Sequence, residues 1–287
     1  MRIREEKKPD WLKIKLETTK EYSEVDKIVT SHSLHTICSS GKCPNKTECW
    51  SRGTATFMIL GNICTRSCKF CATATGKPSD PNSNEPEELA KSISLMKLKH
   101  CVVTSVTRDD LPDGGAAHWA SVIIECRKTN PETTIEVLIP DFDARHNLID
   151  IVIAAKPDII AHNIETVKNL TPSVRSRAQY ETSLETINYI ASTGAFTKSG
   201  LMLGLGEKEE EVLETLNDLY KNGCRIVTIG QYLQPSLKHL PVSNYISPDQ
   251  FARYKDIALS IGFDYVESGP LVRSSYMAEK AMELCKK

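Results

Sequence analysis

The sequence predicts an α/β fold, a partial (β/α)6 TIM-like barrel of parallel strands. Three observations lead to this prediction. Six apolar, β-rich segments recur along the chain, amphipathic segments with helical spacing separate them, and polar residues directly follow several of the strands. Apolar strands joined by helical crossovers form parallel sheets covered by helices. Polar residues after the strands favour a barrel over a doubly wound sheet, because barrel enzymes build one site from the loops at that end.

The candidate strands and helices alternate along the chain. Strands are predicted at 56–60, 102–106, 135–139, 159–164, 200–205 and 226–233, and helices at 85–99, 118–128, 148–156, 181–193 and 207–221. These elements define a barrel core at residues 51–261. We expect an N-terminal extension at 1–50 and a C-terminal extension at 262–287, both over the barrel mouth.

Length and charge exclude several classes of protein. A chain of 287 residues with 40% hydrophobic content can bury one large core. Its 36 basic and 37 acidic residues nearly cancel, so no strong field favours a nucleic-acid or membrane partner. The N-terminus lacks the apolar core of a signal peptide, and no stretch of about 18 apolar residues follows. We therefore expect a cytoplasmic protein.

The ten cysteines are unevenly distributed. In a reducing compartment clustered cysteines more often hold metal than form disulfides. One triplet precedes the first strand and a second follows it, whereas four further cysteines are scattered and are expected to be small buried hydrophobes. The triplets are Cys38, Cys43 and Cys49, then Cys64, Cys68 and Cys71; the scattered residues are Cys101, Cys126, Cys224 and Cys285.

The second triplet presents three thiolates within eight residues, directly after the first strand. Three thiolates leave one iron of a 4Fe-4S cluster open to another ligand. The alternative interpretation is a zinc site completed by a histidine. The spacing of Cys64, Cys68 and Cys71, with Phe70 before the last cysteine, resembles the signature of the radical S-adenosylmethionine superfamily. The resemblance implies that the open iron binds S-adenosylmethionine, and that one electron from the cluster cleaves it to an adenosyl radical.

Other segments resemble the cofactor-binding positions of the same superfamily. The glycine-rich segment 200–207 is similar to its adenine-contacting strand, where the absence of side chains lets the backbone approach the cofactor. The alternative interpretations are that these glycines only form turns, that Asn163 and Glu165 are ordinary polar loop residues, and that Arg175 is an exposed arginine on a helix. The resemblance implies contacts with S-adenosylmethionine from Ser105, Asn163, Glu165, Arg175, Gly204, Gln231 and Leu233.

The first triplet narrows the resemblance to one family. The spacing of Cys38, Cys43 and Cys49, together with the segment 273–276 (Arg-Ser-Ser-Tyr), resembles the lipoyl synthases. The resemblance implies a second 4Fe-4S cluster, held by the three cysteines and by Ser275, the serine next to the tyrosine. Ser274 is the alternative ligand, and a helix cap is the alternative role for both serines.

The family resemblance implies a sulfurtransferase that inserts two sulfur atoms into an octanoyl chain on a lysine of a lipoyl carrier protein. It implies two 4Fe-4S clusters and S-adenosylmethionine as cofactors, with Cys64, Cys68, Cys71 and Ser275 as the catalytic residues. The carrier would be a 2-oxoacid dehydrogenase E2 protein or a glycine cleavage H protein, and the electron donor a ferredoxin or flavodoxin. Biotin synthase is the rival enzyme, although it does not account for the first triplet and Ser275. A ferredoxin-like or zinc-binding module is the rival from another class.

Overall fold

A computed structural model describes residues 8–13, 19–31, 36–40, 43–51 and 56–285. Parts of the predicted N-terminal extension, and the last two residues of the C-terminal one, therefore lie outside the described residues. The strands, in chain order, are β1 (Thr56–Ile59), β2 (Ile63–Cys64), β3 (Ala74–Thr75), β4 (His100–Ser105), β5 (Thr134–Leu138), β6 (Ile159–Ala161), β7 (Thr197–Leu203), β8 (Ile226–Gln231) and β9 (Tyr265–Gly269).

Seven of these strands form one parallel sheet in the order β1-β4-β5-β6-β7-β8-β9. Each strand is added beside the previous one, as in the wall of a barrel, whereas a doubly wound sheet reverses direction partway. The predicted α/β fold with parallel strands is therefore confirmed, with β1 and β9 at the edges of the sheet. Strands β2 and β3 form a separate parallel pair.

Strand β9 is the strand of the main sheet that was not predicted from the sequence. It pairs with β8 and lies inside the segment assigned to the C-terminal extension. Of its five residues only Val266 is buried. An edge strand with one buried residue lacks the apolar run by which the other strands were predicted.

Helices connect neighbouring strands of the sheet, and further helices precede β1 and follow β9. They are α1 (Lys20–Ser31), α2 (Ile37–Ser40), α3 (Lys46–Ser51), α4 (Glu85–Leu95), α5 (Ala116–Thr129), α6 (His146–Ala154), α7 (Thr171–Val174), α8 (Tyr180–Ser192), α9 (Glu209–Lys221), α10 (Pro248–Ile261) and α11 (Ala278–Cys285). The five predicted helices correspond to α4, α5, α6, α8 and α9. Helix α9 illustrates why they form: three glutamates occupy its first turn, and Val212, Leu216 and Leu219 bury one face.

The hydrophobic core lies between the outer face of the sheet and these helices. Val103 and Val137 of the sheet and Trp119 and Ile149 of the helices are fully buried there. The scattered cysteines Cys101, Cys126 and Cys224 are also buried, as predicted, while the side chain of the fourth lies outside the described residues. Burial raises the pKa of the Cys126 and Cys224 thiols to about 12, so both are neutral packing residues.

The inner face of the barrel carries a buried ion pair. Lys198 Nζ of β7 donates to Glu136 Oε1 of β5 at 2.7 Å, and both side chains are almost completely buried. Burial of either charge alone would be strongly unfavourable, so the pair stabilises this part of the interior only as a unit. Within the part of the chain that the structure describes, no helix is both long and apolar enough to cross a membrane.

Candidate functional site

The triplet Cys64, Cys68 and Cys71 lies where the chain leaves the first strand of the barrel. Cys64 ends β2, and the loop to β3 carries the other two cysteines. The backbone N–H groups of Arg66 and Thr107 donate to Cys64 Sγ at 3.4 and 3.3 Å. All three cysteines are half-buried and line one cavity of about 570 Å³.

No three His, Cys, Asp or Glu side chains of the described residues converge on a point where one metal ion could bind. A cubane cluster does not require such convergence, because each thiolate binds a different iron. Burial raises the pKa of the Cys71 thiol, and a hydrogen bond with Thr73 partly offsets that effect. The triplet therefore has the composition of a loop that could bind three irons of a four-iron cluster and leave the fourth iron without a protein ligand.

Arg66, inside the cysteine loop, fixes that loop to two neighbouring strand ends. Its guanidinium donates twice to Asp109, at 2.9 Å each, and once to Asp141 at 2.8 Å. Asp109 follows β4 and Asp141 follows β5. Burial raises the pKa of Asp141, but the hydrogen bond from Arg66, the nearby positive charges and the backbone N–H of Asp143 together outweigh burial, and the pKa falls to about 2. The loop is thus held by charge-assisted hydrogen bonds to a carboxylate that stays ionised at neutral pH.

No role for Arg66 or for these aspartates was predicted from the sequence. Polar residues directly after several strands were, however, evident, and both aspartates lie in such positions. An arginine between two cysteines of a cluster-binding loop, facing such segments, was the signal that could have indicated the ion-pair network.

Six of the seven predicted cofactor-binding residues line the same cavity as this triplet: Ser105, Asn163, Glu165, Arg175, Gln231 and Leu233. Three of their polar atoms, Ser105 Oγ, Asn163 Oδ1 and Arg175 Nε, are buried without a hydrogen-bond partner among the described residues. Buried polar groups in proteins are nearly always paired. These three atoms therefore fit a polar ligand such as S-adenosylmethionine.

Arg175 is half-buried and is not the exposed helical arginine of the alternative interpretation. It follows α7, and its Nη1 donates to Ser183 Oγ of α8 at 2.8 Å. Burial raises the pKa of the neighbouring Glu165 carboxyl, and the charge of Arg175 opposes that effect. A carboxylate and a guanidinium are thus placed side by side in the cavity wall.

Gly204 is the predicted cofactor residue that does not line the cavity. It has a φ of +94°, and a Cβ at this position would collide with the Gln231 side chain. Gln231 Nε2 in turn donates to the carbonyls of Leu203, Tyr232 and Asn244 at 3.0–3.1 Å. In this structure Gly204 and Gln231 shape the loops beside the cavity, and their direct contact with a cofactor stays a prediction.

The triplet Cys38, Cys43 and Cys49 lines a second cavity of about 500 Å³, together with Ser275. Cys38 lies in α2, Cys49 lies in α3, and Cys43 lies between them. Burial raises the pKa of the Cys43 thiol, and the proximity of Cys38 adds to that shift. The three thiols and the serine hydroxyl thus line the same cavity.

Hydrogen bonds join the segment that carries Ser275 both to β1 and to the stretch of chain that carries the first triplet. Thr56 Oγ1, at the start of β1, donates to Ser275 Oγ at 2.8 Å. Asn45 Nδ2 donates to the carbonyl of Leu271 at 2.6 Å, and the Tyr276 hydroxyl donates to Glu48 Oε1 at 3.2 Å. The C-terminal segment and the first triplet therefore form one unit against β1.

The two cavities adjoin. Thr56, Val102 and Arg273 line both of them and form the wall between them. The two serines are divided between the cavities, because Ser274 lines the first and Ser275 lines the second. A group bound at one triplet would therefore lie next to a group bound at the other.

Comparison with known proteins identifies the family of this chain. The family model of the radical SAM superfamily matches residues 58–219. A relative named lipoyl synthase from Bacteroides fragilis is 62% identical over 274 residues, which cover 96% of this chain and 95% of the relative. Another lipoyl synthase, from Treponema denticola, is 56% identical over 275 residues, covering 96% of this chain and 95% of the relative.

Solved structures with low sequence identity share the fold. SuiB of Streptococcus suis bound to precursor peptide SuiA has a TM-score of 0.58 at 9% identity, over 78% of this chain and 50% of SuiB. The hydrogenase maturase HydG of Carboxydothermus hydrogenoformans has a TM-score of 0.56 at 13% identity, over 93% of this chain and 78% of HydG. The family match over more than half of the chain, and the high identity over nearly all of it, show that this chain belongs to the lipoyl synthases of the radical S-adenosylmethionine superfamily.

Proposed function

We propose that this protein inserts two sulfur atoms into an octanoyl chain attached to a lysine of a lipoyl carrier protein, which gives the lipoyl group. Membership of the superfamily implies S-adenosylmethionine and a 4Fe-4S cluster as cofactors. The observation that carries the proposal is the pair of adjoining cavities, each lined by one cysteine triplet. Such a pair would place a radical source beside a sulfur source.

Cys64, Cys68 and Cys71 would hold the cluster that cleaves S-adenosylmethionine. When bound, that group supplies one electron, and the resulting adenosyl radical takes hydrogen from an unactivated carbon. The protein binds and orients the cofactor. Arg66 holds the loop, and the unpaired atoms of Ser105, Asn163 and Arg175 offer hydrogen bonds to the polar groups of the cofactor.

The second cavity would hold an auxiliary 4Fe-4S cluster on Cys38, Cys43, Cys49 and Ser275. The division of the two serines between the cavities supports Ser275, because Ser274 lines the cavity of the other triplet. An alkoxide or hydroxyl oxygen is a harder ligand than a thiolate and is expected to hold iron less firmly. Ser275 is therefore the ligand that we expect to leave when sulfide is given up.

The placement of the two sites makes positioning the main contribution of the protein to catalysis. Two aliphatic C–H bonds must be broken, so two molecules of S-adenosylmethionine are consumed for each product. We propose a matching division of the chain. Residues 51–261 generate the radical, and the extensions 1–50 and 262–287 together build the auxiliary site, as the contacts of Asn45 and Ser275 suggest.

A lipoyl carrier protein is the macromolecular substrate that the proposed reaction requires. We propose an E2 protein of a 2-oxoacid dehydrogenase or an H protein of glycine cleavage in this role, and a ferredoxin or flavodoxin as electron donor. We also propose a cytoplasmic location, because the nine cysteines with described side chains are all free thiols, which persist in reducing compartments.

The direct test is an assay on anaerobically reconstituted protein with a strong reductant, S-adenosylmethionine and an octanoyl-lysine peptide. We expect the peptide to gain two sulfur atoms, read by mass, with two molecules of 5′-deoxyadenosine formed for each product. Formation of 5′-deoxyadenosine without any sulfur-containing peptide, in protein that carries its full iron, would contradict the proposal.

A further inference from the structure

Arg273 occupies an unusual position, because it lines both cavities and forms part of their common wall. Its Nη1 donates to the backbone carbonyls of Gln231 at 3.2 Å and Val272 at 2.6 Å. Among the described residues no carboxylate lies within ion-pair distance of its guanidinium. The positive charge of Arg273 is therefore not neutralised by an acidic residue in that part of the chain.

Arg273 is half-buried, and the two buried arginines Arg66 and Arg108 show the ordinary arrangement of such a group. Arg66 is paired with Asp109 and Asp141, and Arg108 is paired with Asp110 at 2.9 Å. Removing a guanidinium from water is unfavourable unless an anion compensates for the lost hydration. The absence of such an anion beside Arg273, within the ranges that the structure covers, indicates that its partner is a bound group.

The second cavity contains thiols that could hold such a bound group. Arg273 lines this cavity together with all three thiols of the first triplet, Cys38, Cys43 and Cys49. Arg273 is thus placed beside a triplet of thiols that would become anionic together on binding metal.

We propose that Arg273 is the counter-charge of the auxiliary cluster and that it raises the reduction potential of that cluster. This inference rests on the proposed function, because it requires a cluster on Cys38, Cys43, Cys49 and Ser275. A fixed positive charge stabilises the more negative, reduced state, and net charge is among the properties that set the potential of an iron-sulfur cluster. Formation of each carbon–sulfur bond from a carbon radical and a sulfide would leave one surplus electron, which a cluster held at this site would accept. A higher potential therefore favours bond formation.

The test isolates the auxiliary cluster by replacing Cys64, Cys68 and Cys71 with alanine. In this parent we would introduce Arg273→Gln, which removes the charge, and Arg273→Lys, which keeps it. Lys97→Gln is the matched control, because Lys97 lines the same cavity but is exposed to water, which screens its charge. The measurements are iron per chain and the midpoint potential of the cluster, from a redox titration followed by electron paramagnetic resonance.

We expect all four proteins to bind about four irons per chain. Arg273→Gln should shift the midpoint potential to a lower value, whereas Arg273→Lys and Lys97→Gln should stay close to the parent. An unchanged potential in Arg273→Gln, a lowered one in Arg273→Lys, or an equal shift in Lys97→Gln would overturn the inference.

Iron content distinguishes failure of this inference from failure of the proposed function. A parent protein without a four-iron cluster would contradict the auxiliary site itself. If Arg273→Gln loses its iron, Arg273→Lys decides the outcome. Retained iron and an unchanged potential in the lysine variant support the counter-charge, while loss of iron there as well would mean that Arg273 acts through its shape and contradicts the inference.

Discussion

Replacement of Cys64, Cys68 and Cys71 by alanine should abolish formation of 5′-deoxyadenosine. The same change at Cys38, Cys43 and Cys49 should leave some cofactor cleavage and abolish sulfur insertion. The reason is that the two triplets line separate cavities, so that one set of thiolates can be removed while the other keeps its ligands. Iron analysis should give about eight irons in the wild type and about four in each triple variant. Nucleoside release and peptide mass complete the measurement.

Cys224→Ala provides the control for these variants. Cys224 is buried in the core and lines neither cavity, so its replacement should leave iron content and both reaction steps at the wild-type level. If both triple variants fail at the same step, the two triplets do not divide the reaction as proposed. Stoichiometric zinc without labile sulfide in the wild-type protein would contradict the presence of either iron-sulfur cluster, and with it the proposed function.

Ser275→Ala should keep most of its iron and lose most of its sulfur transfer. Three thiolates still hold the cluster, but the oxygen ligand that is expected to leave during the reaction is absent. Ser275→Cys should also transfer sulfur slowly, because a thiolate binds iron more firmly than oxygen and is displaced less readily. Cofactor cleavage should survive in both variants, since Ser275 lines the other cavity. Iron per chain, 5′-deoxyadenosine and peptide mass are the measurements.

Ser274→Ala is the matched control, because Ser274 is the neighbouring residue but lines the cavity of the radical-generating triplet. We expect it to retain sulfur transfer. Wild-type transfer in Ser275→Ala together with loss in Ser274→Ala would show that the other serine is the ligand. Full activity in both variants would show that neither serine oxygen takes part.

Much of the fold could be predicted from the sequence because its strands are buried on both faces. Strand β8 is the clearest case: all six of its residues are buried, so it appears as an apolar, β-rich run. Strand β9 escaped prediction because only Val266 is buried, and pairing with β8, not hydrophobic patterning, holds it in the sheet.

The cysteine triplets could be located from spacing alone, because each set of three cysteines lies close together in the chain, at 38–49 and at 64–71. The Arg66 network could not, because Asp109 and Asp141 are 43 and 75 residues away, and only the folded barrel shows which strand ends face the cysteine loop. Arg273 is a similar case. Its motif was evident in the sequence, but its lack of a carboxylate partner among the described residues depends on every element packed around it.

The central claim is that the sulfur of the product comes from the auxiliary cluster, and isotope labelling tests it most directly. Protein reconstituted with heavy-isotope sulfide, freed of unbound sulfide and supplied with S-adenosylmethionine, reductant and octanoyl-lysine peptide should give a product in which both sulfur atoms carry the label. Product made at the same yield without label, or with label in only one sulfur atom, would contradict the account.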